Sequence, residues 1–450
     1  MRGLTPAKIA GLCGGELVGG EDIARREVSS ITRDSRECVP GCLFAAIPGA
    51  RTDGHDHLKS AKENGAICAL CQRKPDYKGL PYVLVDDTQR ALGAIAAFYR
   101  GEFDIPVIGI TGSVGKTSAK EMTAAVLSQR FDTMSTDGNY NNELGVPLTL
   151  FRLGEDTEAA VVEMGISAFG EMERLTAMVR PNIAVITCVG YSHLEGLGSL
   201  EGVLRAKTAV TSGMGSDGVL ILNGDDELLR GYETPLRKVY YGLGDGCQVR
   251  AEGLRALGLD GMEFDIVSSL GRAHARIGAF GEHLVYAALA AAAVGIELGL
   301  GYDEITAGIA AYRPVGRRSN VIDSGGIVVI DDCYNSNPNS AVSALRSLSL
   351  LGPRRVAILG DMLELGADSP ALHEAVGRFA GEKCELVLTC GEMAGHISAA
   401  AEGLCRTMHY ESKSELISAL PGVIERGDKV LVKASRGMRF EDISEALKSL

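Results

Sequence analysis

The chain predicts an α/β protein of three successive units, and three observations carry that prediction. An apolar run, Val107–Ile110, passes directly into a glycine-rich turn that ends Gly115-Lys116-Thr117. Beyond it, short apolar runs alternate with helix-compatible stretches, the rhythm of a parallel sheet with helices on both faces. Residues 101–106 and 312–316 interrupt that rhythm with Gly and Pro and read as boundaries. They divide the chain into 1–104, 105–314 and 315–450. At about 150 residues per domain, three units are also what 450 residues lead one to expect.

Taken in order, the first unit carries short β-rich runs at 42–47, 66–70 and 82–85 and closes with a helix over 88–99. The second alternates strand 107–111, helix 116–129, strand 159–163, helix 170–178, strand 183–187, helix 201–212 and strand 219–223. A long alanine-rich helix, 284–298, precedes the second boundary. In the third unit, strands at 326–331, 355–359, 386–389 and 429–433 again alternate with helical stretches. No repeat or low-complexity tract interrupts the pattern. The 57 glycines fit many strand-to-helix turns rather than disorder, because 46% of residues are apolar.

Composition excludes several functions. A net charge of −13 argues against a general nucleic-acid or anionic-membrane surface, so an anionic ligand must be held in a local pocket. No run of 18 apolar residues exists, and Lys8 interrupts a short, Gly-rich start that lacks a signal-peptide core. A soluble, cytoplasmic protein without membrane insertion is expected. The 11 cysteines are scattered, and Cys68-Ala69-Leu70-Cys71 has no second pair at zinc spacing. They read as reduced, buried thiols.

The turn at Gly112-Ser113-Val114-Gly115-Lys116-Thr117-Ser118 has the chemistry of a phosphate-binding loop. Its glycines let successive N–H groups turn toward an anion, the following helix offers its N-terminal partial charge, Lys116 reaches terminal phosphates and Thr117 ligates Mg²⁺. The strict pattern G-x-x-x-x-G-K-[ST] is not met, since its first position falls on Ile110. A nucleoside triphosphate is the expected ligand. Glu163 ends the strand at 159–163 and His193 follows the strand at 183–187, so both can project into the crevice above the loop, where a carboxylate suits Mg²⁺ better than an imidazole. Lys207 by itself reads as a helix-surface charge. The run Asp331–Pro338 reads as a strand passing into a polar turn whose Asx residue caps the next helix.

These residues together resemble the Mur ligases of peptidoglycan synthesis over nearly the whole chain. The resemblance rests on Thr111-Gly112-Ser113-Val114-Gly115-Lys116-Thr117, which fits that family's own form of the loop and so accounts for Ile110. It rests also on Asn139–Pro147, Glu163-Met164-Gly165 and His193–Leu200. The stretches Asp331–Pro338, Leu359–Gly366 and Val432–Arg439 resemble the branch that adds D-alanyl-D-alanine to UDP-N-acetylmuramoyl-tripeptide. The third-residue-adding branch differs there, and its Asp-Asn-Pro-Arg motif is absent. Thr32–Arg36 and Gly41–Gly49 resemble the family's uridine-diphosphate-binding domain.

The resemblance implies an N-terminal UDP-substrate-binding α/β domain, a central parallel-sheet ATPase domain built on the phosphate loop, and a C-terminal Rossmann-like α/β domain. It implies an ATP-dependent ligase that forms an acyl phosphate, which the incoming amine then opens. Gly112 to Ser118, Asn142, Arg317 and Asp332 would hold ATP, with Asp332 at the ribose. Lys116 would face the β- and γ-phosphates. Thr117 and Glu163 would hold one Mg²⁺, and His193 a second together with Lys207, matched to the family's carbamylated lysine. Lys116, Lys207 and His193 would be the catalytic set. Ser35, Arg36, Tyr334, Asn335 and Asn337 would meet substrate. Leu284 stands where the family usually has the Asn of Gly-x-His-Asn, so an apolar side chain replaces the amide that the resemblance would set at adenine. A monomer is expected. Two other readings are a folylpolyglutamate-type or third-residue-adding ligase, against which 331–338 and 359–366 speak, and a nucleotide-dependent switch, which would not need Glu163, His193 and Lys207 beside a uridine-type domain.

Overall fold

The computed structural model describes residues 1–49, 52–352 and 354–450. Three sheets follow one another along the chain. The first has five strands in the order Glu16–Val18, Tyr82–Leu84, Cys68–Cys71, Leu43–Ala45, Ile31–Thr32. Only Glu16–Val18 runs antiparallel to its neighbour. Helix Thr88–Arg100 leaves this unit and packs against Glu171–Val179 of the second, where the Arg100 guanidinium donates to the carbonyls of Val179 at 3.1 Å and Phe103 at 2.8 Å.

The second sheet has nine strands, with Val107–Thr111 between Ile183–Ile186 and Ala159–Glu163. All three are buried along their whole length, as strands covered by helices on both faces must be. Their pairings are parallel. Thr111, Glu163 and Ile186 therefore end on one edge, and the loops that follow converge there. The sheet does not stop at Val219–Asn223. Arg237–Gly242 adds in parallel, followed by Val249–Ala256 and the antiparallel Met262–Ser268 and Gly271–Ile277. The sequence reading expected only the parallel part. The added strands alternate buried and half-buried residues, the pattern of a strand with one wet face, which lacks the continuous apolar runs of the inner strands.

Helix Lys116–Leu127 starts at Gly115, whose φ of +82° favours glycine. It is braced by helices His283–Glu297 and Tyr302–Ala311. Ala287–Ala293 are all buried, and small side chains there let the backbones approach closely. The third sheet orders Asn320–Ser324, Ile327–Asp331, Lys429–Lys433, Arg355–Gly360, Leu386–Cys390 and Arg406–Tyr410, parallel except for the first. Asp331, Gly360 and Lys433 thus end side by side. No helix among the described residues is long and apolar enough to cross a membrane.

The brace behind the phosphate-loop helix is tight enough to test. A Cβ at Gly308 would lie 2.4 Å from Val126 Cα, backbone that cannot yield. Gly308→Ala should destabilise the protein by about 1–3 kcal/mol, as overpacking does. A thermal melt with a midpoint equal to wild type would refute this account of the brace.

Candidate functional site

The loop after Thr111 lies hard against the end of Ile183–Ile186. Gly112 has φ +147°, and a Cβ there would sit 1.9 Å from Thr187 Oγ1. Only glycine allows that approach. Ser113 then ties the loop down: its N–H donates to the Cys188 carbonyl at 2.9 Å, and its hydroxyl bridges the Gly190 carbonyl at 3.0 Å and the Gly190 N–H at 2.9 Å. Lys116, at the start of the helix, donates to the Gly112 carbonyl at 2.7 Å. Burial pushes its pKa down, Glu163 opposes that shift, and Arg318 adds to it.

Thr117 Oγ1 donates to Glu163 Oε2 at 2.8 Å, and Asn141 Nδ2 donates to Glu163 Oε1 at 2.7 Å. Glu163 is 1% exposed. A hydroxyl and a carboxylate oxygen converging below a phosphate loop suit Mg²⁺, which takes one or two protein ligands and keeps phosphate and water oxygens. No group of three His, Cys, Asp or Glu side chains among the described residues could hold a metal. Asn142, expected at the nucleotide, lines the same cavity but uses its Oδ1 to accept from Gly145 N–H at 2.8 Å, a turn that leads into helix Gly145–Leu150.

His193 has φ +53°, and its Nδ1 pairs with Glu364 Oε2 of the third unit. The backbone joins there too, Glu195 N–H donating to the Glu364 carbonyl at 3.2 Å. Burial lowers the pKa of His193 despite Glu364, and Lys116 and Lys207 lower it further. Lys207 is 1% exposed and its amine makes no hydrogen bond or ion pair among the described residues. Burial, then Lys116, depresses its pKa to about 7. The helix-surface role that its sequence context suggested is therefore wrong: helix Leu200–Thr208 turns this residue inward.

The loops at the ends of the third sheet face the phosphate loop across a cavity of about 610 Å³. Ser113 to Lys116, Ser118, Glu163 and His193 line one side; Asp332, Tyr334, Asn335 and Asn337 line the other. Asp332 accepts from Lys433 Nζ at 2.6 Å and from Ser319 N–H at 3.0 Å. Asn337 caps helix Pro338–Ser349 through Ser340 N–H at 2.8 Å, so the Asx cap expected from sequence is present at the cavity wall.

Gly112, Thr117, Lys207, Arg317, Leu284, Ser35 and Arg36 are not among the residues that line this cavity. Arg317 turns to Asp331, at 2.6 Å, and Glu445, at 3.0 Å; Arg318 lines the cavity in its place. Leu284 is 2% exposed inside the apolar core, while His283, one residue earlier, reaches the wall. Ser35 and Arg36 lie in the first unit, Ser35 buried and Arg36 paired with Asp34 at 2.6 Å. The sequence reading assigned no role to Asn141, His283, Arg318, Glu364 or Lys433. Four of them stand inside or beside motifs it did single out, which was the only available signal.

Comparison with known proteins agrees with this geometry. Family models described as "Mur ligase family, catalytic domain", "Mur ligase middle domain" and "Mur ligase, glutamate ligase domain" match residues 27–100, 110–295 and 317–436. The UDP-N-acetylmuramoyl-tripeptide--D-alanyl-D-alanine ligase of Escherichia coli (strain K12) is 36% identical over 100% of this chain and 99% of its own. The Bacillus subtilis (strain 168) enzyme of that name is 35% identical over 93% of each chain. A crystal structure of MurF from Acinetobacter baumannii superposes with a TM-score of 0.90 at 29% identity, covering 99% of both chains. MurF from Thermotoga maritima in complex with ADP gives 0.84 at 26%, over 93% of this chain and 97% of its own. With a 36% identical relative matching it from end to end and three Mur ligase models in sequence along it, this chain belongs to the Mur ligase family.

Proposed function

We propose that this chain joins D-alanyl-D-alanine to UDP-N-acetylmuramoyl-tripeptide with cleavage of ATP, making the peptidoglycan precursor in the cytoplasm as a monomer. One observation carries the reading: the cavity sets the Lys116 loop opposite Asp332, Tyr334 to Asn337 and Lys433, residues of two of the branch-specific motifs. In this reading 1–104 holds the uridine-diphosphate end of the substrate, with Ser35 and Arg36 as contacts. Residues 105–314 hold ATP, and 315–450 bring the acceptor.

The reaction needs two displacements. A substrate carboxylate oxygen attacks the γ-phosphorus and ADP leaves. The dipeptide amine then attacks the acyl carbon, loses a proton, and inorganic phosphate departs. The protein contributes position and charge. Lys116 exchanges the Gly112 carbonyl for phosphate oxygens, and the loop N–H groups face the anion. Arg318 and Lys433 add positive charge from the other wall. Thr117 and Glu163 would hold Mg²⁺, which neutralises phosphate charge when bound. His193, oriented by Glu364, and Lys207 would serve a second ion. A buried amine with its pKa depressed to about 7 has a substantial neutral fraction near neutral pH, the form that takes up CO₂. A carbamate there would turn a cation into the oxygen donor that Mg²⁺ prefers.

Phosphate release that requires ATP, UDP-tripeptide and D-Ala-D-Ala together tests the function; release with any one absent would refute it. Lys116→Ala should lower kcat at least about a hundredfold, the cost of one charge contact to the transition state, with an unchanged melt. Retention of a tenth of the wild-type rate would remove Lys116 from its role.

For Lys207, activity in CO₂-depleted buffer should fall and return with bicarbonate, more completely above pH 7 than below it, since only the neutral amine reacts. Lys207→Ala should lose most activity and regain part of it with formate or acetate. Rescue by small amines instead, or an unmodified mass for Lys207 in bicarbonate-equilibrated protein, would overturn the carbamate.

A further inference from the structure

Two guanidiniums share one aromatic ring at the cavity wall. Arg318 Cζ lies 4.2 Å and Arg436 Cζ 5.1 Å from the centroid of Tyr334. Neither makes an ion pair among the described residues. The neighbouring carboxylates already have partners, Asp331 with Arg317 and Asp332 with Lys433. Stacking on a ring offsets part of the repulsion between two such cations, but an anion between or beside them would remove more.

The platform is built rather than incidental. Ser435 Oγ donates to the Ser336 carbonyl at 3.2 Å and accepts from Leu363 N–H at 2.9 Å. Lys433 Nζ donates to the Asn335 carbonyl at 3.0 Å, and Tyr334 N–H donates to the Arg317 carbonyl at 3.3 Å. The loop carrying Arg436 is therefore stitched to the loop carrying Tyr334.

The two arginines divide by position. Arg318 lines the cavity with Val114 to Lys116 and depresses the pKa of Lys116, so its charge belongs to the phosphates. Arg436 is exposed and is not among the residues that line the cavity with the phosphate loop. Resting on the function proposed above, the acceptor must arrive with a neutral amine at the reacting carbon. Its one remaining charge is a carboxylate a dipeptide's length away, about 7 Å. A guanidinium beyond the phosphates, held on a flat ring, suits a carboxylate in bidentate fashion. We propose that Arg436, seated on Tyr334, binds the terminal carboxylate of the incoming dipeptide and selects an acceptor of that length and charge.

The test pairs substrate charge with residue charge. Wild type should use D-Ala-D-alaninamide about thirtyfold less well than D-Ala-D-Ala in kcat/KM, the loss of one charge-assisted contact. Arg436→Ala should raise KM for D-Ala-D-Ala by a similar factor and leave kcat/KM for the amide within about twofold, abolishing the preference. Arg436→Lys should restore part of it. KM for ATP and for the UDP-tripeptide should stay within about twofold in both variants, and so should the melt, since Arg436 is exposed. Equal use of acid and amide by wild type, equal losses on both in Arg436→Ala, or a rise in KM for ATP would each overturn the assignment. If wild type forms no product from D-Ala-D-Ala, the proposed function fails and this inference with it; product with an unaltered preference in Arg436→Ala defeats the inference alone.

Discussion

The approach of Gly112 to Thr187 is the constraint on which the site depends. Without a side chain at 112, the loop settles against the end of Ile183–Ile186, and the chain beyond Thr187 becomes its other wall. Ser113 grips that wall at Cys188 and Gly190. One residue on, Tyr191 N–H donates to Asn339 Oδ1 at 2.9 Å, and His193 pairs with Glu364. An unbroken run of contacts therefore leads from the phosphate loop to the third sheet. A shift of the loop has a direct mechanical path to the third unit, the kind of linkage that domain closure uses.

Charge is the second organising theme. Lys116 is close enough to depress the proton affinity of Lys207, and neither has a carboxylate bonded to it. Glu163, the nearest acidic group, is occupied by Thr117 and Asn141. Burying positive charge without a paired anion is costly unless the group gives up its proton or a ligand arrives. The cavity is thus unfavourable when empty and becomes favourable with an anion such as a triphosphate. The chain's overall charge of −13 confines this attraction to the cavity, which keeps the rest of the surface from collecting anions.

Other buried cations in the molecule serve differently. Lys120, on the same helix as Lys116, is 1% exposed, yet it donates to the Thr136 carbonyl at 2.7 Å and pairs with Glu121. Arg100 is satisfied by backbone carbonyls at the seam between the first two units. These two hold structure because their partners are internal. Lys116, Lys207, Arg318 and the exposed Arg436 make no ion pair among the described residues, and Lys116 is held only by the Gly112 carbonyl.

What the sequence by itself determined was the kind of thing each segment is. Continuous apolar runs between turn signals read as inner parallel strands, and the glycines before Lys116 as a turn suited to an anion, because both readings follow from local sterics and burial. The family resemblance likewise followed from motifs in order along one chain. What the tertiary structure alone decided was which side chain faces which space. Arg317 and Arg318 are adjacent and chemically equal, yet one turns to Asp331 and Glu445 and the other to the cavity. Leu284 and His283 divide in the same way, because successive residues on a helix point about 100° apart. Glu364 could not be matched to His193 from spacing, since 171 residues separate them. The outer hairpin, 262–277, escaped notice because half-wet strands carry no continuous apolar run. Local pattern specifies elements; the direction of a side chain depends on the packing of elements far apart in sequence, and the chemistry of this site lies in those directions.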